Sequence, residues 1–144
     1  MSQNQSPLPG QPHIARSDDL LMVEQVSLEA LAREHGTPLF VYSSQWMLDA
    51  LAAYQRGFEG RDALICYAMK ANSSLGILRV FAQAGCGFDI VSGGELARAL
   101  AVGAAPAKII FSGVGKTRAE MRQALDAGIG CFNVESEEEL DVLN

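Results

Sequence analysis

The strongest constraint on the fold is a strand–helix unit that repeats through the second half of the chain. Predicted strands cover 64–69, 88–91, 108–111 and 131–134, and predicted helices cover 74–84, 93–102 and 118–127, with another helix beginning at 137. Regular strand–helix units with short connections are typical of a parallel sheet covered by helices. The repeat therefore predicts an α/β fold.

The predicted helix ends carry independent signals. Three helix starts have a hydroxyl residue followed three positions later by glutamate, namely Ser92 with Glu95, Thr117 with Glu120 and Ser136 with Glu139. In such a capping box, each side chain bonds a backbone N–H near the other residue. Three helices are followed by glycine, the residue that most easily adopts a left-handed C-cap: Gly85, Gly103 and Gly128.

Two architectures fit this repeat. The short period and the largely apolar strands favour a (β/α)8 barrel, and periodicity alone also allows an open doubly wound sheet. The predicted units make about half of a barrel, since a complete one takes roughly 250 residues. The sequence stops at Asn144, in a helix that has only just been capped. We therefore expect an amino-terminal fragment of a longer protein.

The residues before the repeat are predicted as two segments. Residues 1–16 are polar and contain three prolines, which predicts a flexible tail. Residues 17–44 are predicted to hold a short helix at 27–35 and a strand at 39–42. The first strand–helix units then occupy 45–144, beginning with a helix that ends at Gly57.

Composition excludes several classes of function. The 144-residue chain has a net charge of -6, with 49% hydrophobic residues, and lacks the clustered Lys and Arg needed on nucleic acid or anionic membranes. It has neither an apolar signal core at its amino terminus nor an apolar run long enough for a bilayer, so we expect a soluble cytoplasmic protein. The three cysteines lack metal-ligand spacing and are predicted to be free thiols, and no metal site is expected.

Active sites in both architectures lie at the carboxyl ends of the strands. Polar residues are found there at Lys70, Asp89, Ser92, Ser112, Asn133 and Glu135. Strand alternation predicts that Lys70 lies on the same face as Ala68 and Cys66, and that this face points into the barrel at its top. Met69 is predicted on the other face, which meets the helices. Buried lysines readily become the neutral amine that a Schiff-base nucleophile needs. A solvated lysine at a strand end is the alternative interpretation.

Two glycine-containing segments could suggest phosphate binding. The segment from Ser92 to Glu95 could offer backbone N–H groups to a phosphate, but its capping box already explains both end residues. The sequence Gly-Lys-Thr at 115–117 lacks the glycine five residues earlier that a nucleotide-binding loop requires, because Ile110 stands there. We therefore predict that Lys116 is an exposed loop charge and that Thr117 caps a helix.

Taken together, the motifs resemble a known family. Tyr-Ala-Met-Lys-Ala-Asn at 67–72, Gly-Phe-Asp-Ile-Val-Ser-Gly-Gly-Glu-Leu at 87–96 and Phe-Ser-Gly-Val-Gly-Lys-Thr at 111–117 are similar to those of the fold-type III pyridoxal-phosphate decarboxylases, and they occur in that family's order. The resemblance extends from about Pro38 to the end of the chain. It selects the amino-terminal half of a (β/α)8 barrel of the alanine racemase-like kind.

The resemblance implies a cofactor, a reaction and two site residues. Lys70 would hold pyridoxal 5'-phosphate covalently, and Asp89 would lie near that lysine as a cofactor-binding residue. The motif wording is most similar to enzymes that decarboxylate meso-2,6-diaminopimelate to L-lysine. In the family, residues 17–44 would join a β-rich second domain, and the complete enzyme would be a homodimer.

Some features of the family are missing from this sequence. It lacks the glycine-rich phosphate loop and the acidic partner of the pyridine nitrogen, so we expect this segment alone to be inactive. A related decarboxylase of ornithine or arginine, a racemase-like enzyme and a non-catalytic regulatory paralogue are the alternatives. Retention of Lys70 argues against the last of these.

Overall fold

The computed structural model describes residues 5–8, 10–17 and 19–144. The chain divides into two compact units, Met1–Ala50 and Leu51–Asn144. The first unit contains an antiparallel sheet and the second contains a parallel sheet with its helices.

The antiparallel sheet is formed by four strands among the described residues of the first unit. In chain order and in sheet order they are β1 (Gln5–Leu8), β2 (Gln11–Ser17), β3 (Leu20–Val23) and β4 (Val26–Ser27). Helix α1 (Leu28–His35) follows directly, and helix α2 (Ser44–Gly57) begins after a connecting segment.

The prediction of a flexible tail at residues 1–16 is wrong for the residues that the structure describes there. Strand β2 pairs with a neighbour on each side. Its buried positions Ala15 and Ser17 are small or polar, and the exposed Arg16 lies between them. The inward face therefore has too little hydrophobicity to show a strand pattern in the sequence. Residues 1–4 and 9 of the predicted tail lie outside the described part.

The predicted strand at 39–42 is also wrong, because these residues form no strand within the described chain. Leu-Phe-Val-Tyr has strong strand propensity, but a strand also needs a partner to pair with. Phe40 is 84% exposed. By contrast, both neighbouring helices are confirmed: Ser27 accepts a hydrogen bond from the Ala30 N–H to cap α1, and Ser43 accepts one from the Trp46 N–H to cap α2.

The strand–helix repeat of the second unit is confirmed. Its parallel sheet contains, within the described residues, β5 (Cys66–Ala68), β6 (Gly87–Ile90), β7 (Ile109–Phe111) and β8 (Cys131–Phe132), which lie side by side in chain order. Each strand is followed by a helix: α3 (Leu75–Gln83), α4 (Gly93–Ala101), α5 (Arg118–Ala127) and α6 (Glu137–Leu143). The first strand is shorter than predicted, because Met69–Ala71 forms a 3-10 turn.

The two faces of the parallel sheet differ in burial. Phe88, Ile90, Ile109 and Phe111 are fully buried on one face. The helices cover this face, as shown by the stacking of the Tyr67 ring of β5 on Phe81 of α3, with ring centroids 4.3 Å apart. Burying a large apolar side chain contributes about 1.5–3 kcal/mol, so this face holds the unit together.

The opposite face carries the residues that the register aligns with Asp89. Ala68, Asp89, Ile110 and Cys131 lie side by side on neighbouring strands. The first three are half-buried and Cys131 is exposed. Polar groups on this face are therefore within reach of a ligand.

The packing of β6 against its neighbours requires a glycine at position 87. A Cβ atom there would lie 2.6 Å from the Cys66 Sγ atom and 2.6 Å from the Lys108 carbonyl oxygen. We expect Gly87→Ala to lower the free energy of unfolding by about 1–3 kcal/mol, as overpacking does. Chemical denaturation measures this change.

Gly76 in α3 provides a matched control for this substitution. The nearest atom to a Cβ there is the Ser74 Oγ atom at 3.9 Å. Gly76→Ala should therefore be neutral or stabilising by up to about 1 kcal/mol, since alanine favours helices. Equal losses in the two variants would contradict the steric explanation.

Candidate active site

Lys70 lies at the carboxyl end of β5, in the 3-10 turn Met69–Ala71. Met69 is fully buried and anchors the turn, whereas Lys70 is exposed. Because the strand ends at Ala68 rather than at the lysine, strand alternation does not determine the direction of Lys70. No ion pair of its amine is found among the described residues.

The segment after Lys70 is held by two hydrogen bonds. The Tyr67 hydroxyl donates to the Asn72 carbonyl oxygen at 3.1 Å, and the Asn72 Oδ1 atom accepts from the Ser74 N–H at 2.9 Å. The turn that carries the lysine is therefore fixed on both sides, by the buried Met69 and by the bonded Asn72.

Asp89 belongs to a line of polar side chains that crosses three neighbouring strands. Its Oδ1 atom accepts a hydrogen bond from the Ser112 Oγ atom at 2.5 Å. The Ser112 Oγ atom in turn accepts one from the Asn133 Nδ2 atom at 3.0 Å. We call Asp89, Ser112 and Asn133 the polar row. Three of the six strand-end residues predicted from the sequence thus lie together at this edge.

Ser92 and Glu135, two of the other predicted residues, have local structural contacts instead. The Ser92 Oγ atom accepts from the Glu95 N–H and caps α4, which confirms its capping interpretation. Glu95 accepts from the Val91 N–H at 2.7 Å. Glu135 is exposed, and its backbone N–H donates to Glu139.

The first N–H group of α4 also has a protein partner. Gly93 donates to the Glu120 Oε1 atom at 2.8 Å. The other oxygen of Glu120 completes the predicted capping box with Thr117. The hydrogen bonds from Gly93 and Thr117 lower the pKa of Glu120, because they favour its charged form. Only the capping box had a sequence signal, since the bond to α4 joins residues 27 positions apart.

The prediction that Lys116 is an exposed charge is wrong. Its side chain is fully buried, and its ammonium donates to the carbonyl oxygens of Gly113 at 2.6 Å and Asn133 at 2.8 Å. It also pairs with the Glu139 carboxylate at 2.6 Å, and Glu139 is only 10% exposed. The ammonium lies 5.9 Å from the centre of the Phe111 ring. These three oxygen partners compensate the ammonium for its loss of water. The local sequence around Lys116 could not reveal them, because Asn133 and Glu139 are distant along the chain.

Breaking this ion pair from one side should be strongly destabilising. We expect Lys116→Met to lower the free energy of unfolding by about 3–5 kcal/mol, because it leaves the Glu139 charge buried and unpaired. The double variant with Glu139→Gln should lose less than the sum of the two single variants. Chemical denaturation of all four proteins measures this coupling, and additive losses would contradict the pair.

The cysteines are free, as predicted, and differ in environment. Burial, with smaller contributions from Cys86 and Asp89, raises the pKa of the half-buried Cys66 thiol to about 11. Burial also raises the pKa of Cys86. A thiol that stays neutral near pH 7 is a poor nucleophile, so neither cysteine competes with Lys70 for that role.

The described residues contain no cluster of three or more His, Cys, Asp or Glu side chains placed to hold a metal ion. None of their helices has both the length and the apolar character needed to cross a bilayer.

The second unit is thus an α/β parallel sheet with a lysine and a carboxylate at the carboxyl ends of adjacent strands, the edge where the active sites of such folds lie. Residues 46–144 match the family model described as "Pyridoxal-dependent decarboxylase, pyridoxal binding domain". The chain therefore belongs to the pyridoxal-dependent decarboxylase family, as the motifs indicated.

Curated relatives agree with this family. The chain is 53% identical to diaminopimelate decarboxylase of Pseudomonas aeruginosa over 126 residues, which is 88% of this chain and 30% of the relative. It is 54% identical to the Vibrio cholerae protein of the same name over 129 residues, which is 90% of this chain and 31% of the relative. The chain thus spans about a third of the length of these relatives.

Solved structures confirm the fold. A crystal structure of an Aquifex aeolicus protein superimposes with a TM-score of 0.87 at 48% identity, over 92% of this chain and 33% of that protein. The diaminopimelate decarboxylase of M. jannaschii superimposes with a TM-score of 0.90 at 34% identity, over 94% of this chain and 33% of that protein. The prediction of an amino-terminal part of a (β/α)8 barrel is thereby confirmed.

Proposed function

We propose that this chain supplies the cofactor-attachment part of an enzyme that decarboxylates meso-2,6-diaminopimelate to L-lysine and CO2, with pyridoxal 5'-phosphate as cofactor. The observation that carries the proposal is the position of Lys70 at the carboxyl edge of a parallel sheet that matches the family's pyridoxal-binding domain. The identity of 53–54% to proteins named diaminopimelate decarboxylase supports this substrate.

The residues at this edge fit the reactive end of the cofactor. An aldehyde needs a primary amine to bind covalently, and the exposed Lys70 offers one that has no ion pair among the described residues. The carboxylate of Asp89 lies on β6, the strand next to the one that precedes Lys70. The nearby helix N–H of Gly93 is already bonded to Glu120, so this group is not free to bind the cofactor phosphate.

In the proposed mechanism, Lys70 binds the cofactor and later moves a proton. Its Nζ atom would hold the cofactor covalently. The cofactor, when bound, supplies an electron sink for the charge left by the departing CO2. At the same edge of the sheet, this Nζ atom would also be placed to carry a proton to or from the reacting carbon. Asp89 would contribute a carboxylate from the neighbouring strand β6, with one oxygen held by Ser112.

The complete enzyme would contain more than this chain. A polypeptide of the relatives' length would add the remaining barrel strands and a β-rich second domain, to which residues 17–44 would contribute. We propose that this complete enzyme is a cytoplasmic homodimer that acts on a small amino acid. The resemblance to the family supports this arrangement.

Replacing Lys70 tests the attachment role in the complete enzyme, meaning a polypeptide of the relatives' length that contains this sequence. Lys70→Ala should abolish the visible absorbance of bound cofactor and reduce decarboxylation at least about 100-fold, because the amine is lost. Borohydride reduction of the unmodified enzyme, followed by peptide mapping, should fix the cofactor to Lys70.

Lys108 provides the matched control, since its ammonium bonds the Gly85 carbonyl oxygen at the opposite end of the strands. Lys108→Ala should keep both absorbance and turnover. Unchanged turnover in Lys70→Ala, or a label on another lysine, would reject the proposed role. Turnover of ornithine or arginine in place of diaminopimelate would keep the cofactor role and reject the substrate.

Asp89→Ala tests the second site residue in the same enzyme. We expect slower decarboxylation with cofactor still bound at saturating concentration, because the carboxylate on the neighbouring strand is lost while the covalent link to Lys70 remains. Steady-state kinetics and the absorbance spectrum measure the two effects separately. Rates equal to those of the unmodified enzyme would show that Asp89 has only a structural role.

A further inference from the structure

The polar row connects Asp89 to two residues that the family resemblance did not assign to the site. Ser112 follows β7 and Asn133 follows β8, so the row spans the ends of three adjacent strands. Its two hydrogen bonds measure 2.5 and 3.0 Å. Ser112 is half-buried, and Asn133 closes the row at its exposed end.

The row has a direction that follows from its chemistry. An amide NH2 group only donates, so the Asn133 Nδ2 atom donates a hydrogen bond to the Ser112 oxygen. The hydroxyl of Ser112 has a single hydrogen, with which it donates a hydrogen bond to Asp89. An ionised carboxylate only accepts, so the row ends there. One oxygen of Asp89 is thereby fixed, which restricts rotation of the carboxyl group.

The backbone that presents this row is held independently of the side chains. The Ser112 N–H donates to the Ile90 carbonyl oxygen at 2.8 Å, and the Asn133 N–H donates to the Phe111 carbonyl oxygen at 2.9 Å. The buried Lys116 ammonium bonds the carbonyl oxygen of Asn133. It also bonds that of Gly113, the residue after Ser112. The backbone at Ser112 and at Asn133 is therefore held in place before any ligand binds.

We infer that Ser112 and Asn133 are positioning residues that hold the carboxylate of Asp89 in the orientation in which it meets the cofactor attached at Lys70. This inference rests on the proposed function. Neither residue needs to touch the cofactor, because each acts through Asp89. A carboxylate that is already held in its orientation can interact with the ligand without first having to reorient when the ligand binds.

A double-mutant cycle in the complete enzyme tests this inference. The four proteins are the unmodified enzyme, Ser112→Ala, Asp89→Ala and the double variant. The primary measurement is the dissociation constant of pyridoxal phosphate, from titration of the cofactor-free enzyme followed by absorbance. Ser112→Ala should weaken binding about 3- to 10-fold, the range expected for loss of one hydrogen bond. In the Asp89→Ala background it should have no further effect.

Four further variants separate positioning from general damage. Ser112→Thr keeps the hydroxyl and should restore binding. Ser74→Ala removes an exposed hydroxyl that makes no capping bond, and it should leave binding unchanged. Asn133→Asp should weaken binding more than Asn133→Ala, because an acceptor at this position competes with Asp89 for the single hydrogen of Ser112. That difference should disappear in the Asp89→Ala background.

The possible outcomes are distinct. If Ser112→Ala weakens binding equally with and without Asp89, or not at all, the inference is overturned while the attachment of cofactor to Lys70 stands. If Asn133→Asp and Asn133→Ala behave alike, the direction of the row is wrong. If the unmodified enzyme takes up no cofactor at Lys70, the proposed function fails and the positioning role fails with it.

Discussion

Burial of one face of the parallel sheet determines on which face and at which edge the polar row lies. Phe88 and Phe111 are fully buried on that face. Side chains alternate along a strand, so Asp89, next to Phe88, must lie on the opposite face. The same packing sets the register that brings the ends of β6, β7 and β8 to one edge. The polar row is thus a consequence of apolar packing beneath it.

Features with a local cause could be predicted from the sequence. Helix starts depend on residues three positions apart, so the caps at Ser92, Thr117 and Ser136 were recognised. The strand–helix order followed from hydrophobic periodicity in the same way. For the site, strand ends identified Asp89, but only as one of several polar residues.

Features that depend on distant partners could not be predicted. Lys116 is buried because Glu139, 23 residues later, and two carbonyl oxygens surround its charge. Strand β2 forms because it has neighbours on both sides, although its inward residues are small. Residues 39–42 have strong strand propensity but form no strand, because they pair with no other strand of the described chain. Strand propensity shows that a segment is able to form a strand, and the presence of a partner strand decides whether it forms one.

In α5 and α6, the third helical residue has a contact that the cap itself does not need. Glu120 of α5 reaches back to the first N–H of α4, and Glu139 of α6 reaches back to Lys116 in the loop before α5. The units β7–α5 and β8–α6 are therefore each tied to the preceding unit by a carboxylate at the edge where the site lies. The start of α4 and the loop after β7 each form a bond with the unit that follows. The local structure at this edge is thus shared between neighbouring units.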